Sequence, residues 1–165
     1  MDREAMTKRD ESGNPLLIGW REMVDFPLWK VAGIEAKIDT GARTSAIHVE
    51  DVTIHDDGQV TFHLVTSPRK PFEHVEVTAP MVRTSKIRSS TGHAQERIVV
   101  ATDVRIGPLS RTIEMSLVGR DKMLCRMLLG RTALEGLLIN PSERYLLGGT
   151  GPRRRSESPK KRRKS

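Results

Sequence analysis

Val31-Ala32-Gly33-Ile34-Glu35-Ala36-Lys37-Ile38-Asp39-Thr40-Gly41-Ala42 is the stretch on which the reading of the fold turns. Apolar and polar side chains alternate over Ile34 to Ile38, the period of a half-buried strand. The pattern predicts a strand that delivers the Asp39 carboxylate to a tight turn. Gly41 can take backbone angles closed to other residues and lets a second backbone approach, while the Thr40 hydroxyl is free for a local or cross-subunit hydrogen bond. Taken alone, Asp-Thr-Gly is also an ordinary strand-ending turn.

A second element changes that balance. Met127-Leu128-Leu129-Gly130-Arg131 reads as a short apolar strand followed by a glycine and a cation. In Thr132-Ala133-Leu134-Glu135-Gly136, Thr132 is expected to cap one helical turn and Gly136 to end it. The two elements together resemble the retroviral-type, retropepsin-like aspartic proteases over residues 16–148. More closely, IDTGARTSAIHV from Ile38 to Val49, IRSSTGHAQERIV from Ile87 to Val99 and RMLLGRTALEG from Arg126 to Gly136 resemble a bacterial subfamily of these folds. Its members often carry the label ATP-dependent zinc protease, and some are encoded beside ATP-grasp peptide ligases. The residues support neither word of that label. There is no Gly-x-x-x-x-Gly-Lys-Ser/Thr loop and no His-Glu-x-x-His. His48, His55, His63, His74 and His93 follow no zinc spacing, so neither a metal ligand nor a cofactor is assigned.

A chain of 165 residues, 36% apolar, suggests one domain with a modest core. Residues 151–165 hold eight basic side chains and one acidic; the rest carries 20 of each, so the formal charge of +7 belongs to the tail. Residues 1–15 and 149–165 are expected to be disordered, flanking a domain over 16–148. The tail reads as a solvated extension that could also touch nucleic acid weakly, through charge alone. The N-terminus lacks the apolar core of a signal peptide or membrane anchor, and the single Cys125 allows no intrachain disulfide. Both fit a reducing cytoplasm.

The strand candidates are residues 16–20, 28–38, 45–54, 59–64, 73–77, 87–88, 97–106, 111–118, 127–129 and a final region over 137–147. The turns Asp56-Asp57-Gly58, Gly107-Pro108 and Asn140-Pro141-Ser142-Glu143 separate them. Such spacing argues for an all-β closed sheet; with the resemblance it becomes a retropepsin-like acid-protease barrel with one short helix. Ser89 to Gln95 reads as a hairpin tip, either a plain solvent-exposed turn or, by resemblance, the flap over a substrate. Ser90, Thr91, Gly92 and His93 are therefore candidate substrate contacts. Trp20 and Trp29 read as core or interface aromatics, Met115, Met123 and Met127 as gap fillers, and Cys125 as a small buried side chain.

Hydrolysis by water needs one group to take a proton from the water and another to protonate the carbonyl oxygen. Two facing carboxyls that share one proton supply both. The chain holds one Asp-Thr-Gly, so the partner of Asp39 must be Asp39 of a second copy across a two-fold axis. The resemblance then implies a homodimeric aspartic endopeptidase with Asp39, Thr40 and Gly41 at its centre. Gly41 and Ala42 would meet an extended peptide or protein substrate. Arg131 is implied to lie near the aspartate turn. The family's second acid there is replaced by Arg43, so either Glu35 or Glu96 compensates or the pocket suits an acidic peptide. Two rivals stay open: a binder of acidic peptides that does not cut them, and a metal-dependent peptidase.

Overall fold

The computed structural model describes residues 7–66, 73–88, 92–119 and 125–147. Ten strands make up nearly all of its regular structure: β1 (Leu17–Gly19), β2 (Arg21–Phe26), β3 (Val31–Ile38), β4 (Ser45–Ile54), β5 (Gln59–Val65), β6 (His74–Arg88), β7 (Ala94–Ile106), β8 (Leu109–Val118), β9 (Met127–Leu129) and β10 (Leu138–Asn140). The all-β expectation holds among the described residues. The short helix is a 3-10 turn over Arg131–Ala133, and a second such turn spans Pro27–Trp29.

Several expected boundaries shift for local reasons. The strand expected from residue 28 begins at Val31, because Pro27 stands in the first turn of a 3-10 segment that closes with Lys30 at φ 54. That turn folds Trp29 back to stack on Phe26 at 4.8 Å and meet Phe62 edge-on at 5.4 Å. Trp29 is thus a core residue, whereas Trp20 is half-buried, with Arg21 lying 4.6 Å from its ring. The segments expected at 73–77 and 87–88 are parts of one 15-residue strand, β6. The region expected over 137–147 forms a strand only at Leu138–Asn140, then turns where Ser142 N–H donates to Asn140 Oδ1 at 3.0 Å.

β2 is absent from the sequence reading because one of its inward positions is charged. Its buried face is Glu22, Val24 and Phe26, and Glu22 is fully buried. Glu22 Oε1 accepts N–H bonds from Gly19 at 2.8 Å, Leu146 at 2.8 Å and Leu147 at 3.1 Å. The carboxylate thereby fastens the end of the described chain to the β1–β2 turn. Gly19 is required there, because a Cβ on it would stand 2.5 Å from the Glu143 carbonyl oxygen.

Eight strands pair in the order β2-β3-β9-β4-β5-β6-β7-β8, with further pairings β2–β7 and β4–β8; β1 and β10 form a separate parallel pair. Phe26, Phe62, Ile34, Ile47, Leu64, Met115, Met127 and Leu129 fill the interior and are fully buried or nearly so. Met115 and Met127 take the filling role expected of them, while Met123 lies outside the described residues. Within residues 1–15, expected to be disordered, Lys8 N–H donates to the Gly136 carbonyl and Leu16 N–H to the Lys8 carbonyl, each at 2.8 Å. Residues 1–6 and the tail from 148 onward lie outside the described residues. Among the described residues no helix is long and apolar enough to cross a membrane.

One topological feature positions the site. β9 lies between β3 and β4, parallel to β3 and antiparallel to β4. Residues 39–44 must therefore step across the end of β9 to connect two strands that are consecutive in sequence but not adjacent in the sheet.

Candidate active site

Asp39 stands where β3 runs out. Its N–H donates to the Leu129 carbonyl at 2.9 Å, continuing the β3–β9 pairing by one bond. Its Oδ1 accepts the Gly41 N–H at 3.0 Å, and the Ala42 N–H reaches the Asp39 carbonyl at 3.3 Å. A Cβ on Gly41 would lie 3.2 Å from that same Oδ1, so glycine leaves room for the carboxylate. Asp39 is half-buried, while Thr40 and Gly41 are exposed.

The segment after β9 holds this loop from below. Gly130 N–H donates to the buried Ser45 Oγ at 3.1 Å, and a Cβ on Gly130 would stand 2.7 Å from Thr44 C and 2.9 Å from Arg43 C. Arg131 N–H donates to the Ala42 carbonyl at 2.8 Å, and Arg131 Nη1 to the Thr40 carbonyl at 2.9 Å. Thr132 was expected to cap the following turn. Gly130 occupies that position instead, and both the N–H and Oγ1 of Thr132 donate to the Arg43 carbonyl at 3.1 Å. Asp39, Thr40, Gly41, Ala42, Arg43 and Arg131 are thus brought together.

Beside the loop opens a cleft of about 690 Å³, with Ala42, Arg43 and Thr44 on one side and Arg83, Ser85 and Arg97 on the other. Glu114, Ser116 and Thr132 complete its polar lining. The far wall is the β6–β7 hairpin, where Ser85 pairs with Arg97 and Arg83 with Val99. Antiparallel partners share a face, so the two arginines point the same way. The expected hairpin therefore exists and its stem walls the cleft. Of its tip, Gly92 and His93 are exposed and line no part of that cleft; Ser90 and Thr91 lie outside the described residues.

The acid beside these cations is neither of the two anticipated from sequence. Glu35 is engaged elsewhere, 3.1 Å from Arg21 Nη1 and hydrogen-bonded by the Tyr145 hydroxyl. Burial and that bond push Tyr145 up to about 12. Glu96 pairs in register with Lys86. The cleft acid is Glu114, whose Oε2 accepts from Arg83 Nη2 at 2.8 Å and Nε at 3.1 Å. Arg83 Nη2 also reaches Thr44 Oγ1 at 3.5 Å. The Arg43 guanidinium has no hydrogen bond or ion pair among the described residues. Arg83, Arg97 and Glu114 escape a motif search because they stand mid-strand. They stand on three different strands, β6, β7 and β8, and the strand register alone puts them on one face of the sheet.

Among the described residues, no group of three or more His, Cys, Asp or Glu side chains is placed to hold a metal ion. His48 is buried beside Arg126, with Nη1 at 3.0 Å from Nδ1; His63 lies between Asp51 at 3.0 Å and Glu76 at 3.5 Å, His74 pairs with Glu50 at 2.8 Å, and His55 with Thr61. Cys125 is buried, 3.9 Å from Glu35 Oε1, and burial pushes its thiol up, away from the thiolate that nucleophilic attack requires.

A family model described as RimB-like, retropepsin-like aspartic endopeptidase RimB, matches residues 17–148, and the chain belongs to that family. Its curated relatives include a protein of Shewanella pealeana named probable alpha-L-glutamate ligase, 36% identical over 85% of this chain and 31% of the relative. A protein of the same name from Desulfotalea psychrophila is 32% identical over 80% of this chain and 29% of the relative. The chain spans about a third of the length of these relatives. A crystal structure of a Legionella pneumophila protein of unknown function shares the fold, with a TM-score of 0.66 and 24% identity over 81% of this chain and 98% of that one.

Proposed function

We propose that the protein is an aspartic-type endopeptidase whose working unit is a homodimer, with Asp39 of one copy facing Asp39 of the other. The observation that carries the reading is the held Asp39 loop: a carboxylate at a strand end, with one oxygen fixed by Gly41 N–H and its turn tied to β9 by Arg131. In the dimer, the ionised carboxyl accepts a proton from water as the water oxygen attacks the peptide carbonyl. The protonated carboxyl donates to the carbonyl oxygen. Thr40 would bond across the axis beneath the pair. The ring of strand pairings is taken as the family's closed barrel, and the setting as the cytoplasm.

Acidic peptides are the proposed substrates. Arg43 and Arg83 line the cleft together with Arg97 and Glu114, the Arg43 guanidinium without a partner among the described residues, and planar guanidinium groups recognise carboxylates through paired hydrogen bonds. The glutamate ligase named in the relatives fits a protein that acts on glutamate-bearing chains. The same cations favour a second reading, a binder of acidic peptides that does not cut them.

Cleavage of matched Glu-rich and Gln-rich peptides decides between these readings. The expected result is faster cleavage of the Glu-rich peptide, abolished in a folded Asp39→Asn protein, because the amide is nearly isosteric but cannot act as the base. Undiminished cleavage by Asp39→Asn overturns the aspartic mechanism. Peptide binding without cleavage by the unsubstituted protein establishes the binder. Chelator inhibition reversed by zinc would favour the metal-dependent alternative. Deleting residues 151–165 should leave cleavage unchanged and lower only salt-sensitive affinity for nucleic acid.

A further inference from the structure

Arg83 lines the cleft with a carboxylate held against it. Glu114 Oε2 lies 2.8 Å from Nη2 and 3.1 Å from Nε, so a single oxygen takes two donors along one edge of the guanidinium. The pair is half open to water, with side-chain exposures of 42% for Arg83 and 47% for Glu114. An ion pair this exposed contributes little, because water and salt screen it and both side chains lose freedom. It is a weak contact at the wall of the cleft, and either side chain can swing away without stranding a buried charge.

The surroundings show what such a swing would do. Arg43 stands across the cleft without a partner among the described residues, and Thr44 Oγ1 lies 3.5 Å from Arg83 Nη2. Arg83 therefore bridges the hairpin stem and the loop that carries Asp39. A ligand carboxylate in the cleft would meet Arg43 unopposed, but at Arg83 it would compete with a carboxylate already in place.

We propose that Glu114 is an internal occupant of the acid-binding edge of Arg83, displaced when an acidic side chain of the ligand enters the cleft. Glu114 then sets specificity by competition. A neutral side chain cannot replace it, while a carboxylate exchanges one ion pair for another and leaves Glu114 to water. The exchange is nearly even in Coulomb energy, so the second hydrogen-bonded oxygen of a bidentate ligand carboxylate tips it. This inference rests on the acidic-peptide reading above, and its test separates the two.

The experiment is a double-substitution cycle in the full chain carrying Asp39→Asn, with affinities for a labelled Glu-rich peptide and its Gln isostere read by fluorescence anisotropy. Glu114→Gln should tighten the Glu-rich peptide about two- to fivefold, the range of an exposed ion pair, and leave the Gln isostere unchanged. Arg83→Ala should weaken the Glu-rich peptide, and adding Glu114→Gln to it should bring no further gain. Arg83→Met, which keeps the aliphatic stem, takes its place if the alanine variant melts early. An equal gain from Glu114→Gln with and without Arg83 would overturn the proposal, showing that Glu114 acts only through the general field. Equal affinity of the unsubstituted cleft for both peptides would overturn the acidic-peptide reading beneath it.

Discussion

Arg131 Nη1 donates to the carbonyl oxygen of Thr40 at 2.9 Å, joining two residues 91 positions apart across the end of β9. The carboxylate that the resemblance would pair with this arginine is replaced by Arg43, and a backbone carbonyl serves as its partner. The arginine thus stabilises the aspartate loop directly. Arg131→Ala should leave a folded protein whose kcat on a peptide substrate falls roughly ten- to a hundredfold, because small displacements of a reacting group are costly. Steady-state kinetics beside a thermal melt would check this. An unchanged kcat would show that the loop holds its shape without the arginine.

Gly130→Ala should be among the most damaging single-methyl additions to the chain. The new Cβ would meet backbone atoms of Arg43 and Thr44 at 2.7 to 2.9 Å, and those atoms belong to the loop that crosses β9. Either β9 or the Asp39 loop must move, at a cost of about 1–3 kcal/mol. Urea unfolding would report it, and a variant as stable as the parent would contradict the close packing.

Glu22→Leu should destabilise the fold even though it places an apolar residue in an apolar core. Three N–H groups, of Gly19, Leu146 and Leu147, lose their acceptor. Each unsatisfied buried donor costs roughly 1–3 kcal/mol. Glu22→Gln retains an acceptor oxygen and should lie between the two. Hydrogen exchange at Leu146 and Leu147 should rise in the leucine variant before global stability is lost.

The chain contains a single tyrosine, so ultraviolet absorbance titration reads Tyr145 directly. Burial and its hydrogen bond to Glu35 hold the phenol at about 12, above the ordinary value of 10.0. A raised folded-state value means the neutral phenol is favoured in the native state. Its contribution to stability is complete below pH 10 and is lost as pH rises through 10 to about 12. Tyr145→Phe should flatten stability across that window. A native titration midpoint near 10 would refute the Glu35 contact.

The strands most legible in the sequence were those without a buried carboxylate. β4 and β9 run as anticipated, and β3 ends at the aspartate as the alternation over Ile34–Ile38 requires. β2 was hidden because Glu22 occupies an inward position, and a buried carboxylate is compatible with a strand only when distant N–H groups come to it. The long β6 was read as two pieces, since Arg83 and Ser85 mask its alternation by facing a polar cleft.

Local chemistry was enough to place Asp39 at a strand end, glycine beside its carboxylate and an all-β chain around them, because side-chain period and turn preference act between near neighbours. The insertion of β9 between β3 and β4, the carbonyl partner of Arg131 and the Arg83–Glu114 pair were decided by the tertiary structure alone. Each joins segments dozens of residues apart, and such contacts depend on the order in which strands pair. No local periodicity encodes that order.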